Sequence, residues 1–373
     1  LEAQHLHIVT HDVPWPADFG GLTDLFWKLK ALQQAGIKIH LHCFTQGRAP
    51  QPVLLQYCAS VNYYKRERNI SGFSFRLPFI VSSRKSRLLI ENLKRDNYPV
   101  LLEGIHCTWP LFAGELAGRK VLVRLHNVEY AYYHQLAQNE NHFLKRFYFN
   151  RESKLLKRYE KKLAPLATFL SVSETDKDLY HALYASAAVH FLPVFLPWTL
   201  ATGKETKGCF CLYHGNLSIN ENEKAVEWLL DVFKQSTLNI VFAGKAPSHR
   251  LQQLVEANPQ CCIVANPTDA ELQDMIGKAQ VHLLPAFNVT GVKLKLLNAF
   301  FNGKHCLVNK AAVAGSGLEN YCTLAETAAA FKQEALRLFE TAFTEAEQQE
   351  RQGLLQSLYN NEMNAQRLLT FLQ

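Results

Sequence analysis

Short apolar, β-branched runs alternate along the whole chain with longer segments whose apolar positions repeat at helical spacing. That alternation is the pattern of βαβ units around parallel sheets, so the expected fold class is α/β. A first series of strands is expected at residues 6–10, 37–43, 100–102, 121–125, 168–171 and 189–192. A second follows at 209–213, 239–242, 261–264, 281–284 and 305–308. Between them Pro193 and Pro197 interrupt an apolar run and a polar stretch follows at 202–208, a composition that disfavours both helix and central strand. The series therefore divide into two Rossmann-like domains, residues 1–195 and 205–353, joined through this linker. Helical patterns close the chain at 325–344 and 352–371, with Gly353 as a weak break.

A further helix is expected over residues 144–162, with Phe143, Phe147, Leu155 and Tyr159 as its buried stripe. Its other face carries Lys145, Arg146, Arg151, Lys154, Lys157, Arg158, Lys161 and Lys162 against only Glu152 and Glu160. A solvated face explains that charge, and contact with an anionic membrane surface is the second reading.

A chain of 373 residues has room for two full cores, and its 48% hydrophobic and 20% charged residues exclude a long disordered segment. No apolar stretch reaches the length of a membrane span, and no basic, then apolar, signal pattern opens the chain. The expectation is a cytoplasmic protein, with the inner membrane face as its one peripheral contact. The nine cysteines show no C-x-x-C spacing and read as reduced and structural. A net charge of +7 suits phosphorylated small molecules as well as membranes. The basic helix lacks interleaved base-reading residues, so nucleic acid is not an expected partner.

In open α/β sheets ligands bind beyond the carboxyl ends of the strands, and those loops hold the candidate chemistry. After the first strand, residues 11–21 end in Gly20 and Gly21, where backbone can approach a ligand and a helix offers free N–H groups. After the strand at 121–125 come His126, Asn127 and Glu129; His126 suits a sugar hydroxyl and Asn127 a helix cap. In the second half Pro285, Ala286, Phe287 and Asn288 lead to Thr290, Gly291, Val292, Lys293 and Lys295. With Thr290 as N-cap and a helix from Gly291, the first N–H groups and two lysines would face an anion such as a diphosphate. Gly291, Lys295 and Asn298 then share one stripe. Gly215 and Asn216, and Gly244 with Lys245, end two apolar strands where backbone would pass under a nucleotide. No G-x-G-x-x-G or Walker A pattern is present, which removes the main support for NAD enzymes and P-loop NTPases. Asp176 and Asp178 spell a D-x-D string, but inside an expected first helical turn where acids favour the dipole, so no metal is assigned.

In this order the segments resemble the retaining GT-B glycosyltransferases related to family 4, including bacterial enzymes that build surface polysaccharides. The specific parts are residues 124–129, residues 171–176, and residues 291–304 ending in Asn302, Gly303 and Lys304. The resemblance implies an N-terminal acceptor domain, a C-terminal nucleotide-sugar domain, and a last helix (354–373) that returns to the N-terminal domain. It implies catalysis in a cleft without a cofactor, the nucleotide sugar being a co-substrate. His126 matches the family histidine that approaches the donor sugar, and Gly20 and Gly21 match the glycine loop near the donor phosphates. The substrate set is Gly20, Gly21, Asn127, Glu129, Gly215, Asn216, Gly244, Lys245, Phe287, Thr290, Gly291, Val292 and Asn298; the catalytic set is His126, Lys293 and Lys295. The expected donor is UDP- or GDP-sugar and the expected acceptor a saccharide or lipid-linked saccharide.

Two departures stand out. The family's paired glutamates, eight residues apart, are Thr290 and Asn298 here, and the arginine usual after the glycine of the first C-terminal strand is Asn216. Asn298 keeps hydrogen-bonding capacity, Thr290 supplies no carboxylate, and Lys245, Lys293 or Lys295 must provide the missing positive charge. The departures keep open a non-catalytic protein of the same fold that binds a glycan or partner, and a nucleotide-sugar epimerase.

Overall fold

The computed structural model describes residues 4–17, 20–45, 47–67, 72–140, 142–203 and 206–372. Residues 18 and 19 of the first glycine loop, and 204 and 205 of the linker, lie outside the described residues. The chain forms two compact units: Leu1–Pro197 with Tyr359–Gln373, and Trp198–Leu358.

Unit 1 is built on a parallel sheet of β1 (His5–Thr10), β2 (Lys38–Thr45), β3 (Ser60–Lys65), β4 (Val100–Glu103), β5 (Val121–Leu125), β6 (Thr168–Ser171) and β7 (Ala188–Phe191), in the order β3-β2-β1-β4-β5-β6-β7. Its helices are α1 (Gly20–Gln34), α2 (Phe79–Ser82), α3 (Arg87–Leu93), α4 (Trp109–Phe112), α5 (Glu129–Asn139), α6 (Phe143–Leu163) and α7 (Glu174–Leu183). In unit 2, β8 (Cys211–Asn216), β9 (Ile240–Lys245), β10 (Cys261–Ala265), β11 (Val281–Leu284), β12 (His305–Val308) and β13 (Thr323–Leu324) pair in the order β10-β9-β8-β11-β12-β13. Around them run α8 (Asn220–Val232), α9 (His249–Glu256), α10 (Asp269–Lys278), α11 (Leu294–Asn302), α12 (Lys310–Val313), α13 (Ala328–Glu340) and α14 (Glu345–Ser357). The final helix, α15 (Asn361–Thr370), belongs to unit 1.

Every strand pairing is parallel, and in each sheet the order reverses direction at one gap: between β1 and β4, and between β8 and β11. That switch point is where an open α/β sheet leaves a crevice, because the connections leave to opposite sides. The strands read as continuous apolar runs since both faces are covered. In unit 1 one core gathers Val9, Val100, Val123, Leu156 and Phe169, and another gathers Leu22, Leu25, Leu29, Ile39 and Leu101. Ala365 and Leu368 of α15 complete the second core, and Asn361 holds the linker by accepting from Leu196 N at 3.0 Å and donating to Leu196 O at 2.8 Å.

Several expectations need correction. The edge strands β3 and β13 were not visible in the apolar pattern. The closing helix at 352–371 is two helices; Gly353 lies inside α14, and the chain breaks near Tyr359 and Asn360, where the Asn360 side chain caps α15. Leu155 and Tyr159 of α6 are buried as expected, but Phe143 and Phe147 are exposed.

Candidate functional site

The first site is assembled at the carboxyl edge of the unit 1 sheet. Asp24 and Lys28 stand one turn apart on α1, on the stripe that also carries Leu22, Leu25 and Leu29. Packing that stripe against the sheet takes both charges into the core. There Lys28 Nζ bridges Asp24 Oδ2 at 3.0 Å and Glu103 Oε1, at the end of β4, at 2.8 Å. Arg124 on β5 donates from Nη2 to Asp24 Oδ1 at 3.1 Å, and from Nη1 and Nη2 to the carbonyls of Leu192 and Pro193 at 2.5 and 2.9 Å. All four side chains are buried, so only mutual pairing makes their burial tolerable. Burial alone would raise the Asp24 carboxyl, but Arg124 and Lys28 outweigh it and hold the group ionised. Burial likewise opposes the Glu103 charge, and Lys28 and His126 overcome it.

His126 follows β5, half-buried, with Nε2 3.1 Å from Glu103 Oε2. An ionised carboxylate only accepts, so Nε2 carries the proton and Nδ1 is left as the other polar atom. The rings of His11 and His106, from the loops after β1 and β4, complete the cluster, with centroids 5.3 Å apart and His11 6.1 Å from His126. Burial lowers His11 to about 3 and holds His106 well below its usual range, so both are neutral donors and acceptors. Asp24, Glu103 and His126 approach closely enough to share a metal ion, yet the Lys28 ammonium already sits between the two carboxylates. The set therefore fits a protein cation better than a metal.

Asn127 does not cap α5. The N-cap position is Val128, and Asn127 instead hydrogen-bonds the carboxyl of Glu129, which is buried and pushed up to about 7 by that burial. Gly20 and Gly21 open α1, whose first turn carries no acidic residue. Asp176 lies in the first turn of α7, buried, its N–H capped by Ser173 Oγ at 2.9 Å.

The second site lies at the carboxyl edge of the unit 2 sheet, beside β8 and β11. The helix expected from Gly291 starts later: α11 begins at Leu294 with Lys293 as N-cap residue, and Thr290 is not a cap. Asn288 Oδ1 accepts from Thr290 N at 2.8 Å and from Thr290 Oγ1 at 2.9 Å, and Gly291 takes φ of +67°, which suits a residue without Cβ. These turns hold the chain off the helical path for three residues longer than the sequence suggested. Lys293 Nζ donates to Thr290 O at 2.6 Å, tying the loop shut. Thr290 is buried, Val292 half-buried and Phe287 exposed. Gly291 is therefore outside the stripe shared by Lys295 and Asn298, and Asn298 Oδ1 accepts from Asn302 Nδ2 at 2.9 Å.

Lys295 is the central cation here. Its Nζ donates to Tyr213 OH and to Asn222 Oδ1, both at 2.9 Å, and lies 4.6 Å from the Tyr213 ring centroid. Burial lowers its pKa to about 8. Tyr213 and Asn222 were not singled out in the sequence: one hides in an apolar strand, the other in a helix rich in Glu and Asn. The glycines have a different reason from the expected one. Gly215 and Gly244 lie within β8 and β9, directly in register, and a Cβ on Gly244 would stand 1.8 Å from Gly215 O. Glycine at 244 is needed for strand approach. Asn216 Oδ1 accepts from Ser218 N and Oγ at 3.1 and 2.7 Å, a local turn, while Lys245 is exposed at the end of β9.

Residues 209–341 match the family model described as glycosyl transferases group 1. Along the sequence, the chain is 27% identical over 332 residues to an uncharacterized 44.6 kDa protein in the cps region of Klebsiella pneumoniae, covering 83% of this chain and 84% of that one. In structure it is similar to sucrose-phosphate synthase from Thermosynechococcus elongatus, with a TM-score of 0.73, 15% identity and 98% of each chain covered. It is also similar to HepE of Anabaena, solved in complex with UDP and glucose, with a TM-score of 0.67, 10% identity and 99% of each chain covered. Two all-parallel Rossmann-like sheets with the last helix returned to the first unit are thus the GT-B fold, and residues 209–341 carry the sequence pattern of a group 1 glycosyl transferase.

Proposed function

We propose that the protein transfers a sugar from a UDP- or GDP-sugar to a saccharide or lipid-linked saccharide acceptor, with retention of anomeric configuration, in the assembly of a surface polysaccharide. The observation that carries this reading is Lys295, a half-buried cation held by Tyr213 and Asn222 at the switch point of the unit that matches the group 1 transferases. The cps-region relative and the UDP and glucose bound by HepE point the same way.

In such a transfer the bond between the anomeric carbon and the diphosphate oxygen breaks, and negative charge grows on the diphosphate. Lys295 and the N–H groups at the start of α11, whose first turn has no acidic residue, are placed before the reaction and need no reorganisation as that charge develops. In the retaining route the acceptor oxygen bonds to the same face and its proton passes to the departing phosphate. Unit 1 is assigned the acceptor. Glu103 fixes His126 so that Nδ1 receives a hydroxyl, and neutral His11 and His106 suit further hydroxyls.

A thermal-shift series with UDP, GDP, ADP, TDP and their sugar conjugates tests the reading, because a ligand selective for the native state raises its melting temperature. A shift from one uridine or guanosine diphosphate and its sugar is the expected result; no shift from any of them would refute it. The second reading, a non-catalytic binder, draws on the two family glutamate positions: Thr290 and Asn298 both spend side-chain bonds within the protein. It predicts the same shift with no release of diphosphate when acceptor is supplied.

A further inference from the structure

α6 is too long for the sheet it packs against. Its 21 residues span roughly 31 Å, whereas β5 and β6, of five and four residues, span roughly 15 Å. Because α6 is followed, after one short turn at Ala164–Leu166, by the start of β6, its surplus length lies toward the carboxyl edge, the edge that carries His126. Burial follows this geometry: Glu152, Leu155, Leu156, Tyr159 and Leu163 are buried, but the first turns are not.

Those turns are apolar. Phe143, Leu144 and Phe147 are 69%, 59% and 71% exposed. Further along, at Arg151, the helix meets the segment 72–77, in which Phe75 is 83% exposed and stacks edge-on against Phe73 at 5.1 Å. Arg151 joins the two, donating to Ser74 O at 2.7 Å and lying 4.7 Å from the Phe73 ring centroid. The apolar tip is interleaved with Arg76, Lys145 and Arg146, and residues 72–78 and 142–151 contain no acidic residue. Exposed aromatic rings ringed by cations, on a helix end, match the interface of an anionic bilayer, where rings enter the acyl boundary and cations meet lipid phosphates.

We propose that this tip, formed by the start of α6 and residues 73–77, docks unit 1 on a bilayer containing anionic lipid. The His126 edge then faces the membrane, which selects the lipid-linked class of acceptor; that last step rests on the transferase reading, while the docking does not.

The experiment is co-sedimentation of the full chain with vesicles of phosphatidylcholine alone or mixed with phosphatidylglycerol. Binding to the mixed vesicles only, weakened about tenfold by ~0.5 M salt, is expected. The triple variant Phe75→Ser, Phe143→Ser, Phe147→Ser removes side chains that contact mainly solvent, so its melting temperature and nucleotide shift stay those of the parent. Its partition onto vesicles falls by about tenfold or more. Absence of binding by the parent overturns the proposal. So does binding that survives the triple variant and is lost on charge reversal at Lys154, Lys157 and Lys161. Self-association of the parent that the triple variant disperses, without vesicle binding, overturns it as well and makes the tip a protein interface. None of these results touches the nucleotide shift, so the transferase reading stands or falls separately.

Discussion

The two strand-end sites solve the same problem, a charge held away from water, in opposite ways. In unit 1 two cations and two carboxylates saturate one another: Lys28 and Arg124 against Asp24 and Glu103. In unit 2 Lys295 is hydrogen-bonded to the neutral oxygens of Tyr213 and Asn222, with the Glu221 carboxylate acting on it only through space. A closed ion network has no demand for an external charge, and its Glu103 also holds the His126 ring at 3.1 Å. A cation solvated by neutral dipoles keeps its attraction for an anion. Under the proposed transfer reaction unit 2 is the side that meets the phosphorylated donor, and that assignment is open to direct attack by substitution.

The largest effect is expected in the closed network. Lys28→Met leaves Glu103 buried with only His126 beside it, and removing one member of a buried ion pair costs about 3–5 kcal/mol. Urea denaturation should show that loss. Adding Glu103→Gln to Lys28→Met removes the stranded charge, and the double variant should be more stable than the single one. If the double variant is less stable still, the network is held by packing rather than by charge.

Unit 2 should respond in the opposite sense. Lys295→Met replaces a half-buried ammonium with an apolar chain of similar length, so stability should change little. Loss of a charge-assisted contact to a diphosphate, about 2 kcal/mol, should weaken nucleotide diphosphate binding roughly 30-fold in titration calorimetry. Equal losses of stability and affinity would mean Lys295 is a structural residue like Lys28. A finer probe is pH. Burial lowers Lys295 to about 8, and an anion favours its charged form, so the ammonium is present below that value and lost above it. Affinity should hold from pH 6 to 7.5 and then fall, by about fivefold between pH 8 and 9, in the parent but not in Lys295→Met.

Much of the fold was legible because parallel strands covered on both faces are plain apolar runs, as at residues 121–125 and 281–284. Ser60–Lys65 was not, since an edge strand tolerates the polar sequence SVNYYK. Phe143 and Phe147 are exposed rather than buried for a geometric reason: periodicity reports which residues share a helix face, and says nothing of where the neighbouring sheet stops. His126 and Lys295 were visible from their places at strand ends. Their partners were harder. Asp24 and Lys28 did leave a signal, two charges four apart on an otherwise apolar stripe, but Glu103 and Arg124 meet them only through the sheet. The start of α11 was illegible because Asn288 and Gly291 set it through side-chain and left-handed backbone geometry rather than through pattern.

The smallest expected effect separates Glu129 from the saturated carboxylates near it. Asp24 and Glu103 have cations and stay ionised, whereas Glu129 has a bond to Asn127 and a nearby Asp176, and burial lifts it from 4.5 to about 7. A folded-state value above the unfolded one contributes stability that is complete below 4.5 and is lost as pH rises through 7. Glu129→Gln removes the titration while keeping the shape, so its advantage over the parent should grow by about 1 kcal/mol between pH 6 and pH 8. Melting curves at the two pH values measure this. An equal difference at both would place the effect in packing, and a variant weaker at pH 8 would mean that Glu129 is ionised and stabilising, making it a fifth member of the charged network rather than its neutral neighbour.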